Sequence, residues 1–372
     1  MQWVSSDCFS LLSSNDQPQG ALLPVGHSII YTAVFTKEVP IPMRYIETYS
    51  TDPYFNLAAE EYIFERMDRS HAYLLLWQND NAIVVGKYQN TIQEINSSFV
   101  RDHGIRVVRR LSGGGAVYHD LGNLNFSFIT DAQSADEINF KAFCMPVIQT
   151  LHSLGITAEL NGRNDIAING QKISGNAQYI KNGRRLSHGT LLFHADLDIV
   201  SQSLRVNADK IRSKGVASVS SRVTNIYPHL PTKLTLYEFK EIFLRHISCG
   251  EHLTPYSFTP DDVQSICALR DEKYRTWEWN YGRSPQYQIQ KQRYFEGCGT
   301  VELSMSVAQG GAITGLSFFG DYFSVSDPTV LARALVGIPC RFEAVLARLS
   351  MFDVGSYFIS LSAERLAALI TS

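Results

Sequence analysis

Cysteine is scarce in this sequence and shows no pairing pattern: Cys8, Cys144, Cys249, Cys267, Cys298 and Cys340 have no CxxC spacing and no accompanying histidines. That argues against a zinc site and fits reduced thiols in a cytoplasmic protein. No apolar run approaches the roughly 20 residues that span a bilayer, so no membrane partner is expected. Neither sign of charge dominates, with 33 Lys and Arg against 36 Asp and Glu and a net charge of -3; nothing global points to nucleic acid. One stretch departs from that balance, where Arg205, Lys210, Arg212, Lys214 and Arg222 accompany a single Asp209. It reads as a solvated basic face or as a site for an anionic ligand or acidic partner. The dinucleotide signature GxGxxG and the P-loop ending GKS or GKT are both missing, as are internal repeats and low-complexity tracts.

What is present is a chain of 372 residues, 45% hydrophobic, long enough for two globular domains. Residues 1–42 stand apart: Ser, Pro, Gly and Gln surround one short apolar patch, and Lys37 is the one lysine before Arg44, with no arginine. Neither a secretory signal nor a mitochondrial presequence has that composition, and Met43 is expected to be the natural start, after a disordered or non-native extension.

The most informative stretch is RRLSGGGAVYHDLGNLNFSF, residues 109–128. Residues 105–110, 116–119 and 123–130 have strand composition, which makes Gly113, Gly114 and Gly115 a turn inside a sheet. Three glycines there imply positive φ, or a ligand that touches bare backbone, and such a turn can form a nest of N–H donors for an anion. Arg109, Arg110, Ser112 and His119 flank it, and all can donate to phosphate or carboxylate oxygens. An ordinary glycine hairpin with solvated arginines is the alternative.

A second stretch is GRNDIAINGQKISGNAQ, residues 162–178. Asn169-Gly170 predicts a hairpin between 165–168 and 172–177, and Asn182-Gly183 a second one leading into 186–193. Lys172 then reads either as an edge-strand gatekeeper or as an ammonium that pins a phosphate or acyl oxygen. Around these stretches, Asp52-Pro53 starts a helix of about four turns, and 72–77 with 82–86 reads as a hairpin. Residues 140–154 form a helix stopped by Gly155, and 236–246 another. Residues 250–260 look like a linker. Beyond it, strands are expected at 287–290, 301–307 and 313–319, with helices at 328–336, 343–349 and 363–370.

Read in order, FNLAAEEYIF, LLLWQN, VVGKYQN, RRLSGGGAVYHDLGN, GRNDI with GQKISGNAQ, HGTLL, KGVASVSSRVTN and TWEWNYG resemble the lipoate-protein ligase A family of the biotin and lipoate ligase superfamily. The resemblance runs from about residue 44 to 282. It implies an α+β fold, with a large catalytic domain of mixed and antiparallel sheets with flanking helices over 43–250, a linker over 251–260 and a small α+β accessory domain over 261–372. It also implies an ATP-dependent, AMP-forming ligase that makes lipoyl-AMP from lipoate or octanoate. The acyl group then goes to a lysine of apo lipoyl domains, in E2 subunits of 2-oxoacid dehydrogenases or in the glycine cleavage H protein.

Carried over residue by residue, Lys172 would bridge the acyl oxygen and the α-phosphate as the catalytic residue, and Asp165 would hold Mg²⁺. Gly113, Gly114 and Gly115 would supply backbone donors, and Arg110 would bind a phosphate or the lipoate carboxylate. Ser112, Tyr118, His119, Asn123 and His188 match positions near the nucleotide or adenylate, and Trp77 would wall the lipoyl slot. Read as residues alone, Asp165 could instead cap the Asn164 turn, Trp77 could be core, and His188 could be structural. The aminolysis step finds no dedicated base in the sequence. Two other readings remain: a transferase using a cysteine thioester, for which 156–194 supplies no cysteine, and a non-catalytic lipoyl-AMP carrier. The GRGRxxxG stretch of biotin ligases is absent.

Overall fold

The computed structural model describes residues 42–132, 140–205, 222–247, 253–282, 289–308 and 311–371. Expectations for residues 1–41 and for Lys210, Arg212 and Lys214 lie outside the described residues.

Strand β1 (Met43–Glu47) leads into helix α1 (Pro53–Arg66), which arises where the sequence predicts it. Asp52 caps α1 by accepting from the Tyr54 N–H, and Pro53 fills the first turn, where a missing N–H costs no helical bond. Strand β2 (Ala72–Trp77) is buried along its whole length and pairs parallel with β1 and antiparallel with β6 (Asn123–Asp131). The sheet continues through β10 (Arg184–Leu192), β9 (Gln171–Lys181), β8 (Asp165–Ile168) and β7 (Ala158–Asn161). Both predicted Asn-Gly hairpins are present, with Asn169, Gly170, Asn182 and Gly183 all at positive φ, as a two-residue turn of this hand requires.

Alternation along the strands divides the core. On one face, Phe143, Val147 and Leu151 of α2 (Phe140–Ser153) and Phe239 and Phe243 of α3 (Leu236–Ile247) pack on Leu74, Phe126, Ile166 and Leu191. On the other, Leu57 and Ile63 of α1 meet Tyr73, Leu75 and Leu186. Each such fully buried side chain contributes about 1.5–3 kcal/mol, which fixes the register that the site depends on.

A small second sheet places β3 (Ala82–Val85) between β4 (Arg106–Arg109) and β5 (Val117–His119), parallel to the first and antiparallel to the second. This corrects one expectation and decides between two readings. The segments 72–77 and 82–86 are not hairpin partners, because each is apolar on both faces and takes an inner place in a different sheet. The three glycines do turn inside a sheet, and the alternative of an ordinary hairpin falls away: they carry the chain across the end of β3, from β4 on one side to β5 on the other.

The expected linker is also more structured than its prolines and glycine suggest. Thr254 and Pro255 form β11, which pairs with Arg44 and Tyr45 of β1. Asp262 of the next helix, α4 (Pro260–Leu269), accepts the hydroxyls of Tyr62 at 2.6 Å and Tyr256 at 2.7 Å. These contacts tie the segment to the large sheet. Beyond it, β12 (Ile289–Phe295), β13 (Gly299–Val307) and β14 (Ile313–Gly320) form an antiparallel sheet. Helices α5 (Pro328–Leu335), α6 (Phe342–Leu349) and α7 (Ala363–Thr371) close its own core around Leu303, Leu331, Leu349 and Leu366. The strand expected at 287–290 starts at Ile289; Tyr287 and Gln288 lie outside the described residues.

Candidate functional site

Two adjacent arginines at the end of β4 have opposite tasks. Arg109 is fully buried, and its guanidinium donates to the carbonyls of Gly86 (2.7 Å), Gln89 (2.8 Å), Trp279 (2.9 Å) and Asn280 (3.0 Å) and to the Thr91 hydroxyl (2.7 Å). It fastens the KYQN and WEWN segments together and is not a ligand group, contrary to the expectation for all four flanking donors. Arg110 turns back into the glycine loop. Its Nε donates to Ser112 Oγ at 3.0 Å, and Nη2 donates to the carbonyls of Gly113 at 2.6 Å and Gly115 at 2.9 Å. Gly114 adopts φ +92°, and a Cβ on it would lie 2.9 Å from Arg110 Nη2, so only glycine lets the loop close over this guanidinium. From the C-terminal sheet side, the Tyr322 carbonyl accepts from the Gly114 N–H at 3.4 Å.

Beside the loop runs a slot. Its inner wall is buried and consists of Leu57, Trp77, Val84, Arg110, His119, Asn125 and His188. Its mouth is half-buried and carries Gly115, Asn164, Lys172, Gly175 and Thr190. A continuous polar network underlies the inner wall: Trp77 Nε1 donates to Ser127 Oγ (3.0 Å), and Ser127 Oγ donates to Glu60 Oε1 (2.7 Å). Glu60 pairs with His188 Nδ1 (2.9 Å), and His188 Nε2 meets Ser112 Oγ at 2.6 Å. With Nδ1 turned to the Glu60 carboxylate, Nε2 is the ring atom that meets the Ser112 hydroxyl. His188 is therefore one link between the slot wall and the arginine that shapes the glycine loop.

Lys172 stands at the mouth. Its strand, β9, lies between β8 and β10, so the edge-strand reading does not hold. The pairing slips by one residue between Ile166 and Ala167, and the Lys172 backbone is clamped instead by Arg222 O (2.7 Å) and the Thr224 N–H (2.9 Å). Such a bulge re-aims a side chain. Here it brings Nζ to 2.8 Å from Asp165 Oδ1, across a gap that exists because residue 175 has no side chain: a Cβ on Gly175 would be 2.7 Å from Nζ.

Burial sets the charge states. The Arg110 guanidinium is held down to about 10 by desolvation, with Glu60 as its opposing charge. His119 is pushed down to about 3 by burial and by the neighbouring Arg110 and His188, so its ring is neutral. The thiol of Cys144 is buried and pushed up to about 12, and among the described residues no cysteine lines the slot. None of the described thiols is therefore placed to carry a thioester beside the slot.

Of the residues singled out from sequence, the slot wall gathers Trp77, Arg110, Gly114, Gly115, His119, Lys172 and His188, with Asp165 bonded to Lys172. Ser112 and Gly113 support the loop from behind. Asn123 is fully buried and donates to Asn125 Oδ1 at 3.0 Å. Tyr118 faces the opposite side of β5, packing with Ile83 and Val85 while its hydroxyl donates to Asn81 Oδ1; strand alternation sends it away from Val117 and His119. The sequence reading passed over Glu60, Asn125, Asn164, Asn176 and Thr190. Two of these left a trace. Glu60 interrupts the apolar stripe of α1 at a core position, and Asn125 shares a face of β6 with Asn123.

The family model of the lipoyl protein ligase A/B catalytic domain matches residues 52–248, and that of the bacterial lipoate protein ligase C-terminus matches 284–370. Lipoate-protein ligase 1 of Staphylococcus aureus is 46% identical over 321 residues, covering 86% of this chain and 97% of that one. The lipoate-protein ligase LplJ of Bacillus subtilis is 45% identical over 322 residues, with 86% and 97% covered. Among solved structures, P. falciparum LipL1 in complex with lipoate has the same fold, with a TM-score of 0.72 at 21% identity, covering 88% of this chain and 98% of that one. A lipoate-protein ligase A bound with ATP superposes with a TM-score of 0.55 at 28% identity, covering 65% and 98%. A bipartite lipoate protein ligase described with its E2 lipoyl domain, from Thermoplasma acidophilum, gives 0.57 at 29%, covering 67% and 98%.

Proposed function

The chain belongs to the lipoate-protein ligase family, and we propose that both half-reactions of its chemistry run at the mouth of the slot, beside Lys172. It is an ATP-dependent lipoate-protein ligase. In the first half-reaction a lipoate carboxylate oxygen attacks the α-phosphorus of ATP, the bond to the β-phosphate breaks, and pyrophosphate leaves. In the second, the amine of an acceptor lysine attacks the acyl carbon of lipoyl-AMP and AMP departs. Adenylation brings two anions together, so it requires fixed positive charge and oriented donors where negative charge grows.

The observation that carries the assignment is the Lys172 ammonium, one-third exposed at the rim and aimed across Gly175. It is a compact charge able to bridge a carboxylate oxygen and an α-phosphate oxygen. In the absence of nucleotide, Asp165 is its counterion. When ATP binds, Asp165 would help hold Mg²⁺. A single partly exposed carboxylate fits an ion that takes its remaining ligands from phosphate and water, and no cluster of three His, Cys, Asp or Glu exists among the described residues. The ion would supply charge neutralisation at the phosphates.

Arg110 contributes by shaping the glycine loop, whose backbone then faces the phosphates, and its charge lies under that loop. Trp77, Leu57 and Val84 take the apolar acyl chain. Apo lipoyl domains, in E2 subunits or H protein, are the proposed acceptors, in the cytoplasm. Incubating the protein with lipoate, ATP and Mg²⁺ and no acceptor should yield lipoyl-AMP. Acyl transfer from preformed lipoyl-AMP, with no adenylate ever formed from ATP, would contradict the assignment.

A further inference from the structure

His119 lies in the inner wall of the slot, 2% exposed, and its Nε2 has no hydrogen-bond partner among the described residues. The proton on this ring is placed by its neighbours. Asn56 Nδ2 approaches two carbonyls, Ser50 O at 2.9 Å and Gln78 O at 2.8 Å, which can only accept. The same amide nitrogen reaches Asn79 Oδ1 at 3.0 Å, so Asn79 must turn its own N–H groups the other way, toward His119 Nδ1 at 3.1 Å. Nδ1 therefore accepts, and the single proton of the neutral ring sits on Nε2. The ring that lines the slot thus carries a buried, fixed N–H donor with no acceptor among the described residues, which is costly to leave unmet.

What reaches it follows from the direction of the bound acyl group, and here the inference rests on the placement of the carboxylate beside Lys172. With the carboxylate at the half-exposed mouth, the chain runs inward along Trp77, Leu57 and Val84, and its far end meets His119. A saturated acid ends there in carbon. Lipoate ends in a cyclic disulfide, whose sulfurs are the acceptors on the tail. We propose that His119 Nε2–H donates to a dithiolane sulfur and makes the slot prefer lipoate over octanoate. Asn56 and Asn79 are positioning residues that hold the required tautomer.

The preference arises because octanoate leaves the donor buried and unpaired, and a site built around a hydrogen bond discriminates against the analogue that lacks it. The test uses the full chain and measures kcat/KM for lipoate and octanoate. His119→Asn keeps an amide near the place of Nδ1 for Asn79 but removes the inner donor. It should narrow the lipoate-to-octanoate ratio by roughly tenfold, mainly through a higher KM for lipoate, since a tail contact is made equally in ground and transition states. His119→Gln, which carries an amide out to the position of Nε2, should restore part of the ratio. Nitrogen-15 spectra of histidine-labelled protein should show the Nε2–H tautomer, and Asn79→Leu should shift the ring toward a mixture and lower the ratio.

An unchanged ratio in folded His119→Asn, or an Nδ1–H tautomer in the wild-type protein, overturns the proposal. Lys172→Ala should slow both acids alike. If it slows neither, the carboxylate placement fails, while the ratio in His119→Asn still decides whether this donor reads the tail.

Discussion

Replacing Gly175 by alanine should disable Lys172 without touching it. The added Cβ would lie 2.7 Å from Lys172 Nζ, 3.0 Å from Cε and 4.0 Å from Asp165 Oδ1. All three atoms belong to side chains and two are the mobile end of a lysine, so the fold should absorb the methyl group by displacing the ammonium. Restoring ordinary contact requires a shift of about 1 Å. At an effective dielectric near 20, moving a unit charge from about 2.8 to about 3.8 Å from its partner costs about 1.5 kcal/mol. The same displacement spoils alignment with an oxygen in the transition state, where an error of about 1 Å can cost up to a hundredfold. Adenylation by Gly175→Ala should therefore slow by about ten- to a hundredfold. Single-turnover formation of lipoyl-AMP, quenched and resolved by chromatography, reads the rate, with circular dichroism and thermal melting as controls for folding. A folded Gly175→Ala protein that adenylates at the wild-type rate would refute the geometry assigned to Lys172.

Lys172→Ala should slow the same step by about two to three orders of magnitude, the range for losing one preorganised donor to developing charge; Lys172→Arg should not rescue it, since a planar fork does not fit the place of a compact ammonium. Arg109→Met should cost at least about 3 kcal/mol in denaturant unfolding, because it strands several buried carbonyls at once. Acid stability should report on His119: its pKa is near 6.5 when unfolded and about 3 when folded, so the unfolded chain takes up the proton first. The contribution is complete above pH 6.5 and is lost as the pH falls toward 3, and His119→Asn should flatten that part of the stability profile.

Much of this was legible in the sequence because local chemistry agreed with tertiary demand. Asn169-Gly170 and Asn182-Gly183 specify their turns almost alone, and Asp52-Pro53 starts α1 for reasons confined to one helical turn. The errors share a cause. Segments 72–77 and 82–86 are flanked by turn residues, but continuous apolar runs do not say which sheet will bury them, and sequence proximity was misleading. Arg109 and Arg110 are neighbours of one chemical type; β-strand alternation sends them to opposite sides, one into a cage of carbonyls and the other under the glycine loop. Glu60 and Asn79 matter through partners far away in the chain, His188 and His119, which no local pattern can announce. Lys172 stood out for its position after a tight turn, but the bulge that aims it lies in the pairing with β8, and its backbone is held by residues 222–224, neither of which the turn announces.

The central claim is that this chain couples ATP cleavage to acylation of a protein lysine at the Lys172 site. Intact-protein mass spectrometry of an apo lipoyl domain, incubated with the wild-type protein, lipoate, ATP and Mg²⁺, tests it most directly. One lipoyl addition is predicted on the domain, dependent on ATP and lost when the acceptor lysine is replaced, with Lys172→Ala giving almost none under the same conditions. An unmodified domain in the presence of all components, or equal modification by folded Lys172→Ala, would contradict the account.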